Sequence, residues 1–225
     1  MRVYCYTIPM IKAVLFDMNG IIIDDEHIHE KALQETVKPF GVDVSHEQYL
    51  ECCAGRTDRA GFESISTLFS VPLPIDELLK QKSAAYLELF PKTKKDFPGV
   101  IALIHTLSDS FSVAVTSSAS RAEVELITKE FGINECLQVT VSADEVKKGK
   151  PDPEPYLTTA RLLAVEPSEC VVIEDSRNGV LSAKAAGCYC IGVTTTHDRD
   201  ALSGADLIVE GFDEITSKVI FDLER

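Results

Sequence analysis

Five short apolar runs punctuate the chain: KAVLF (12–16), FSVAV (111–115), LQVTV (137–141), CVVIE (170–174) and CYCIGV (188–193). Runs of this length and continuity are what strands buried on both faces require. Between them apolar residues recur at helical spacing, in PGVIALIHTL (98–107), RAEVELITKEFG (121–132), PEPYLTTARLLAV (153–165) and RNGVLSAKAAG (177–187). Strand and helix in alternation predict an α/β fold, a doubly wound parallel sheet of Rossmann-like type with helices on both faces. Gly132 and Gly187 follow two of the helical segments, where a C-terminal cap takes up a left-handed backbone.

The alternation fails between Asp24 and Pro98. EKALQETVKPFG, SHEQYLEC, RAGFESISTLF and IDELLKQKSAAYLELF carry helical periodicity alone, over far more chain than one crossover needs. The expected organisation is a core built from 1–24 and 98–225, with a small α-helical cap inserted at 25–97. Open parallel sheets bind ligands at the carboxyl ends of their strands, so a cap inserted after the first strand is expected to sit over the site.

Composition narrows the function. The 225 residues are 45% apolar, enough for a sizeable core, and carry a net charge of −14 from 22 basic and 36 acidic residues. That balance argues against nucleic acid and against an anionic membrane surface, while leaving room for a small anionic substrate in a locally positive site. No apolar run approaches the ~18 residues of a membrane span. The opening MRVYCYTIPMIK has too short an apolar stretch for a signal-peptide core, and Met10 is an alternative start. Seven cysteines include no CxxC pair and no zinc spacing with His, which predicts reduced, mostly buried thiols in a cytoplasmic protein. The sequence does not specify an oligomeric state; a monomer is expected.

Chemistry collects at the predicted strand ends. Asp17 follows the first run; Thr116, Ser117 and Ser118 follow the second; Lys150 stands beyond the third; Glu174 and Asp175 follow the fourth. Singly, each has a structural explanation: a strand-end cap, a helix N-cap, a surface lysine, a solvated helix start. Jointly they suit phosphoryl transfer. A carboxylate can attack phosphorus and form an aspartyl-phosphate. A hard dication, most simply Mg2+, is held by one or two carboxylates and substrate oxygens. A lysine, hydroxyls and backbone N–H groups at a helix start neutralise the transferring group.

With FDMNG (16–20), VTSSAS (115–120), KKGKPDPEPY (147–156) and VIEDSRNGVLSAKAAG (172–187), the sequence resembles the haloacid dehalogenase superfamily. Within it the branch holding β-phosphoglucomutase and small sugar-phosphate phosphatases is the most similar. The resemblance covers nearly the whole chain after its first ten or so residues. It implies that Asp17 is the nucleophile, that Ser117, Ser118 and Lys150 bind the transferring phosphate, and that Asp17, Glu174, Asp175 and the backbone carbonyl of Asn19 hold Mg2+. The insertion corresponds to the family's helical cap, and His29 to a cap-helix histidine of this branch.

Asn19 departs from the pattern. Phosphoryl-transferring members have an Asp there, a general acid/base that an amide cannot replace. Three accounts stand open: an acid replaced to arrest turnover, another acid such as Asp24, Asp25 or His29 in its stead, or a binder of phosphorylated metabolites without turnover. Dehalogenases and phosphonatases also lack this Asp, but no dedicated Schiff-base lysine is evident in the cap, Lys31 being the nearest candidate. In the cap, CCAGRTDRAGF (52–62) corresponds to a loop that reads the substrate body. Arg56, Thr57 and Arg59 are its candidate selectors, alongside the alternative that Thr57 or Asp58 caps a helix and the arginines make surface ion pairs. GRTDR looks more like the phosphatases, which favours hydrolysis of a small phosphate monoester over a mutase reaction.

Overall fold

The computed structural model describes residues 10–53 and 56–223. Two compact units are distinguished, one running to Ile23 and resuming at Asp96, the other Asp24–Lys95.

The first unit is a six-stranded parallel sheet, β1 (Ala13–Phe16), β2 (Ser112–Thr116), β3 (Leu137–Val141), β4 (Cys170–Glu174), β5 (Tyr189–Val193) and β6 (Leu207–Val209), in the order β3-β2-β1-β4-β5-β6. It is a Rossmann-like α/β fold. β1 is central, its Ala13 opposite Ser112 on one side and Cys170 on the other. Successive side chains on a strand point to opposite faces, and Ala13, Val14, Leu15 and Phe16 are all fully buried, so both faces are covered. On one face Ala13, Leu15, Cys170, Val172, Cys188 and Cys190 pack in a single core with Tyr156, Ala160, Val180 and Ala183. Those four belong to helices introduced next, which explains why alternate strand positions carry small residues there.

The helices of this unit are α5 (Val100–Ser108), α6 (Arg121–Glu130), α7 (Glu154–Leu162), α8 (Arg177–Ala186) and α9 (Ser217–Asp222). Ser120 accepts from the Glu123 N–H while the Glu123 carboxylate accepts from the Ser120 N–H, a capping box that starts α6. Gly187 ends α8 at φ 84°. α7 stops short of the predicted 165 because Ala164 turns left-handed at φ 55°. β6 was not expected: it has three residues on the sheet edge, too few for a legible apolar run.

The second unit is helical: α1 (Glu26–Val37), α2 (His46–Cys52), α3 (Asp58–Phe69) and α4 (Ile75–Thr93). Leu33, Val37, Val44, Tyr49, Phe62, Ile65 and Leu78 form a core of its own. Ser45 caps α2 and Thr57 caps α3. The helix break expected at Gly55 lies outside the described residues.

Candidate active site

The sheet topology brings the candidate residues together. Asp17 is the first residue past β1, with its N–H bonded to the Ile173 carbonyl of β4. Lys150, in the segment before α7, donates from Nζ to Asp17 Oδ1 at 2.7 Å, to Glu174 Oε1 at 2.8 Å and to the Thr116 carbonyl at 3.2 Å. Its ammonium also stands 4.9 Å from the centre of the Tyr156 ring, a cation–π arrangement. Burial works against this charge, but Asp17 and Glu174 outweigh it, and the lysine pKa is raised.

Glu174 ends β4, fully buried and fully engaged. Oε1 accepts from Lys150 and from the Tyr156 hydroxyl at 3.0 Å. Oε2 accepts from the Asp175 and Ser176 N–H groups, both at 2.9 Å, and from the Ser176 hydroxyl. Burial pushes its pKa up, yet Lys150 and these donors prevail and hold it below the usual range. Gly179 makes the close approach of α8 possible: a Cβ there would fall 1.6 Å from Glu174 Oε1.

Asp175 is placed differently. Oδ2 accepts from the Thr196 hydroxyl. Oδ1 is the buried side-chain polar atom that lacks a hydrogen-bond partner among the described residues. Burial, then the neighbouring Glu174 and Asp17, push its carboxyl up to about 8. Asp17 is raised to about 6, by burial foremost, with Lys150 opposing.

Asp17, Glu174 and Asp175 each offer an oxygen within 4.8 Å of the others, the one such acidic group among the described residues. Three carboxylates against one ammonium leave two negative charges when all are ionised, the complement of a dication. The all-oxygen donor set is that of a hard cation, and a buried unsatisfied carboxylate oxygen is costly unless something meets it. The residues therefore fit a divalent metal ion.

Asn19 is half-buried in the turn after Asp17, and Ser117 Oγ donates to its Oδ1 at 3.4 Å. Ser117 also accepts from the Ala119 N–H at 3.0 Å. It is Ser120, not Ser117, that caps α6, so the hydroxyl of Ser117 is turned to the turn carrying Asn19. Ser118 is exposed beside it. Gly20, at φ 81°, packs so tightly on Asp175 that a Cβ would fall 2.1 Å from Oδ2.

The remaining candidates belong to the second unit. His29 Nε2 stands 3.3 Å from Asp25 Oδ2, and its Nδ1 is 3.0 Å from Lys82 Nζ. An ammonium can only donate, so the imidazole proton sits on Nε2 and points to Asp25. Lys82 is 3% exposed and also donates to Asp58 at 2.5 Å. Tyr86 stacks on His29 and donates to Asp25 at 2.5 Å. Thr57 accepts from the Ala60 N–H as the α3 cap. Arg59 pairs with Asp76 at 2.5 Å on the surface, and Arg56 reaches Ser64 at 3.4 Å.

Sequence reasoning passed over Tyr156, Lys82, Thr195 and Thr196. Lys82 had a visible signal: it interrupts the i, i+4 stripe Leu78, Lys82, Tyr86, Phe90 that α4 buries.

A parallel sheet with an acidic cluster, a lysine and a hydroxyl at its strand ends defines a class of α/β protein whose site can hold a hard cation beside an anionic group. The chain belongs to the haloacid dehalogenase-like hydrolases, whose family model matches residues 14–193. It is similar to validoxylamine A 7′-phosphate phosphatase of Streptomyces hygroscopicus subsp. limoneus, 34% identical over 92% of this chain and 96% of that one. It is also similar to hexitol phosphatase A of Escherichia coli, 31% identical over 91% and 93%. Among solved structures, CbbY from Rhodobacter sphaeroides in complex with phosphate matches with a TM-score of 0.81 at 28% identity, covering 95% of this chain and all of that one. An Asp-to-Asn mutant of the same protein in complex with xylulose-1,5-bisphosphate matches with a TM-score of 0.80 at 29% identity.

Proposed function

We propose that this chain is a Mg2+-dependent phosphatase acting on a small phosphorylated metabolite through an aspartyl-phosphate on Asp17. The observation that carries the reading is the buried cluster in which Lys150 joins Asp17 to Glu174 while Asp175 keeps an unsatisfied oxygen. The relatives, phosphatases and CbbY, act in the same direction.

In this reading an oxygen of Asp17 attacks phosphorus in line and the ester oxygen leaves. Water then adds to the phosphorus of the acyl phosphate, and the carboxylate and inorganic phosphate are released. Lys150 and Ser117 hold the phosphoryl oxygens, with Ser118 at the exposed rim. Asp17, Asp175, Glu174 and the Asn19 carbonyl would hold the cation. Mg2+ supplies charge neutralisation at the transferring group when bound. Glu174 enters this set already carrying five donors, so Asp175 has more capacity to give.

Both proton transfers lack their usual agent. The leaving oxygen must gain a proton and the attacking water must lose one, and Asn19 does neither. Esters with good leaving groups escape the first need but not the second. A second reading, a phosphometabolite binder with little turnover, is favoured by this amide alone. A mutase also needs the missing acid/base. Residues 25–97 act as the cap in the proposal, with His29, Arg56, Thr57 and Arg59 as selectors of the substrate body. Among the described residues the cysteines are free and mostly buried, and no helix is long and apolar enough to cross a membrane. A cytoplasmic, monomeric protein that binds neither nucleic acid nor membrane completes the reading.

The test is a panel of phosphorylated metabolites with Mg2+, run on this chain and on Asn19→Asp in parallel. Turnover by the Asp variant supports the phosphatase. Tight binding of a phosphorylated ligand with both forms inert supports the binder.

A further inference from the structure

The loop that follows β5, TTTHD (194–198), lies beside the acid cluster and has no part in the roles assigned above. Its position follows from the strand order: β5 neighbours β4, and β4 neighbours β1, so the three loops at their carboxyl ends are adjacent. Two of its hydroxyls make specific contacts. Thr195 Oγ1 donates to the Gly20 carbonyl at 2.5 Å. Thr196 Oγ1 donates to Asp175 Oδ2, and lies 2.7 Å from His197 Nδ1. A hydroxyl has one proton to give, so Thr196 gives it to the carboxylate and its oxygen accepts from the His197 Nδ1–H.

These contacts converge on the tightest joint in the site. Gly20 and Asp175 touch so closely that no Cβ fits between them. The peptide of Gly20 directly follows Asn19, whose carbonyl belongs to the proposed cation set. Asp175 is the acid with an oxygen to spare: Oδ2 is taken by Thr196, and Oδ1 is buried without a hydrogen bond.

Resting on the proposed function, we infer that Thr195 and Thr196 are positioning residues for the cation site. Thr195 fixes the turn that carries Asn19 through the Gly20 carbonyl. Thr196 fills one oxygen of Asp175 and thereby dedicates the other to the metal. Hydrogen bonds to ligating carboxylates of this kind orient the ligand, and their loss typically lowers metal affinity by about 10–100-fold.

The test is calorimetric titration of Mg2+ into the full chain and its variants, with thermal melts in EDTA alongside. Thr196→Val keeps the shape and removes the hydroxyl; Thr196→Ser keeps the hydroxyl and removes the methyl. Thr196 is exposed, so neither change opens a cavity. The expected result is about a tenfold or greater loss of Mg2+ affinity in Thr196→Val and in Thr195→Val. Near wild-type affinity is expected in Thr196→Ser, with EDTA melting temperatures alike for all. Wild-type affinity in Thr196→Val overturns the inference, as does a Ser variant as weak as the Val variant, because shape and not the hydroxyl would then matter. Asp175→Ala separates the two levels. If wild type binds Mg2+ and Asp175→Ala does not, the cation site of the proposed function stands whatever the threonine variants do. If wild type takes up no Mg2+, the proposed function falls and the inference with it.

Discussion

Lys150 Nζ stands 2.7 Å from Asp17 Oδ1, joining residues 133 positions apart in the chain. The pair is buried, with side chains 6% and 12% exposed. Breaking a buried pair by removing one partner typically costs about 3–5 kcal/mol, because the other charge is left uncompensated. Lys150→Met should therefore lower stability by an amount of that order at neutral pH, measured by urea unfolding. Acidification should recover part of the loss as Asp17 takes up a proton.

The metal-free chain should also have a pH dependence of unusual sign. Burial foremost raises Asp17 to about 6 and Asp175 to about 8, both from an ordinary 3.8. A carboxyl raised on folding binds more protons in the native than in the unfolded state, so stability rises as pH falls. In EDTA these groups should raise the melting temperature as pH drops from about 8 toward 4. Saturating Mg2+ should flatten that trend by favouring the ionised carboxylates. A flat EDTA profile would mean that Asp175 is ionised in the free protein.

Gly179→Ala sets two effects against each other. Alanine is better than glycine inside a helix by about 1 kcal/mol. The added methyl, however, would fall 1.6 Å from Oε1 and 2.2 Å from Oε2 of Glu174. Moving this carboxylate breaks hydrogen bonds to a charged group worth about 1.5–3 kcal/mol each. The steric effect should win, and the variant should melt lower than wild type despite its better helix former.

Asn19→Asp should increase phosphomonoester turnover by about 10²–10⁴-fold, the usual contribution of a positioned general acid/base. The unaltered chain, given an activated aryl phosphate, should show a burst followed by a slow steady rate as the Asp17 acyl phosphate accumulates. Because Asn19 precedes Gly20, a pair prone to deamidation when flexible, fresh protein verified by intact mass is the proper sample. Equal rates for both forms without a burst would assign the proton transfer to Asp24, Asp25, His29 or another group.

Within the helical unit, Lys82 and Asp58 should respond unequally. Asp58 is 47% exposed while Lys82 is 3% exposed. Lys82→Met removes the buried charge and leaves a carboxylate that water can reach, so it should be close to neutral. Asp58→Ala leaves the ammonium with His29 Nδ1 as the hydrogen-bond partner it keeps and should cost up to about 3–5 kcal/mol. Thermal melts of the two variants compare them directly.

The parts of the fold legible beforehand were those written in periodicity. Five strands and the flanking helices showed as apolar runs and helical spacing, whereas β6, with three edge residues, left no pattern to read. Acids at strand ends were equally visible, because a charged residue that closes an apolar run is conspicuous. Tyr156 lies within a stretch legible only as a helix; its ring packs in the core, and its hydroxyl reaches Glu174. Thr195 and Thr196 were illegible for a different reason. A loop hydroxyl acquires a role from where the loop lands, and that is set by which strand β5 pairs with.

The central place of β1 also governs how the molecule is made. Its partners, Ser112–Thr116 and Cys170–Glu174, are synthesised long after it. A chain leaving the ribosome therefore carries Asp17 on an unpaired strand until β2 emerges, and on a half-paired one until β4 does. The contiguous helical stretch, with its own core, can settle in the interval. Contacts between residues so distant in sequence close slowly, so the surroundings of Asp17 are among the last features completed. A chain truncated before Asp175 lacks one wall of the acidic cluster, which ties assembly of the candidate site to nearly complete synthesis.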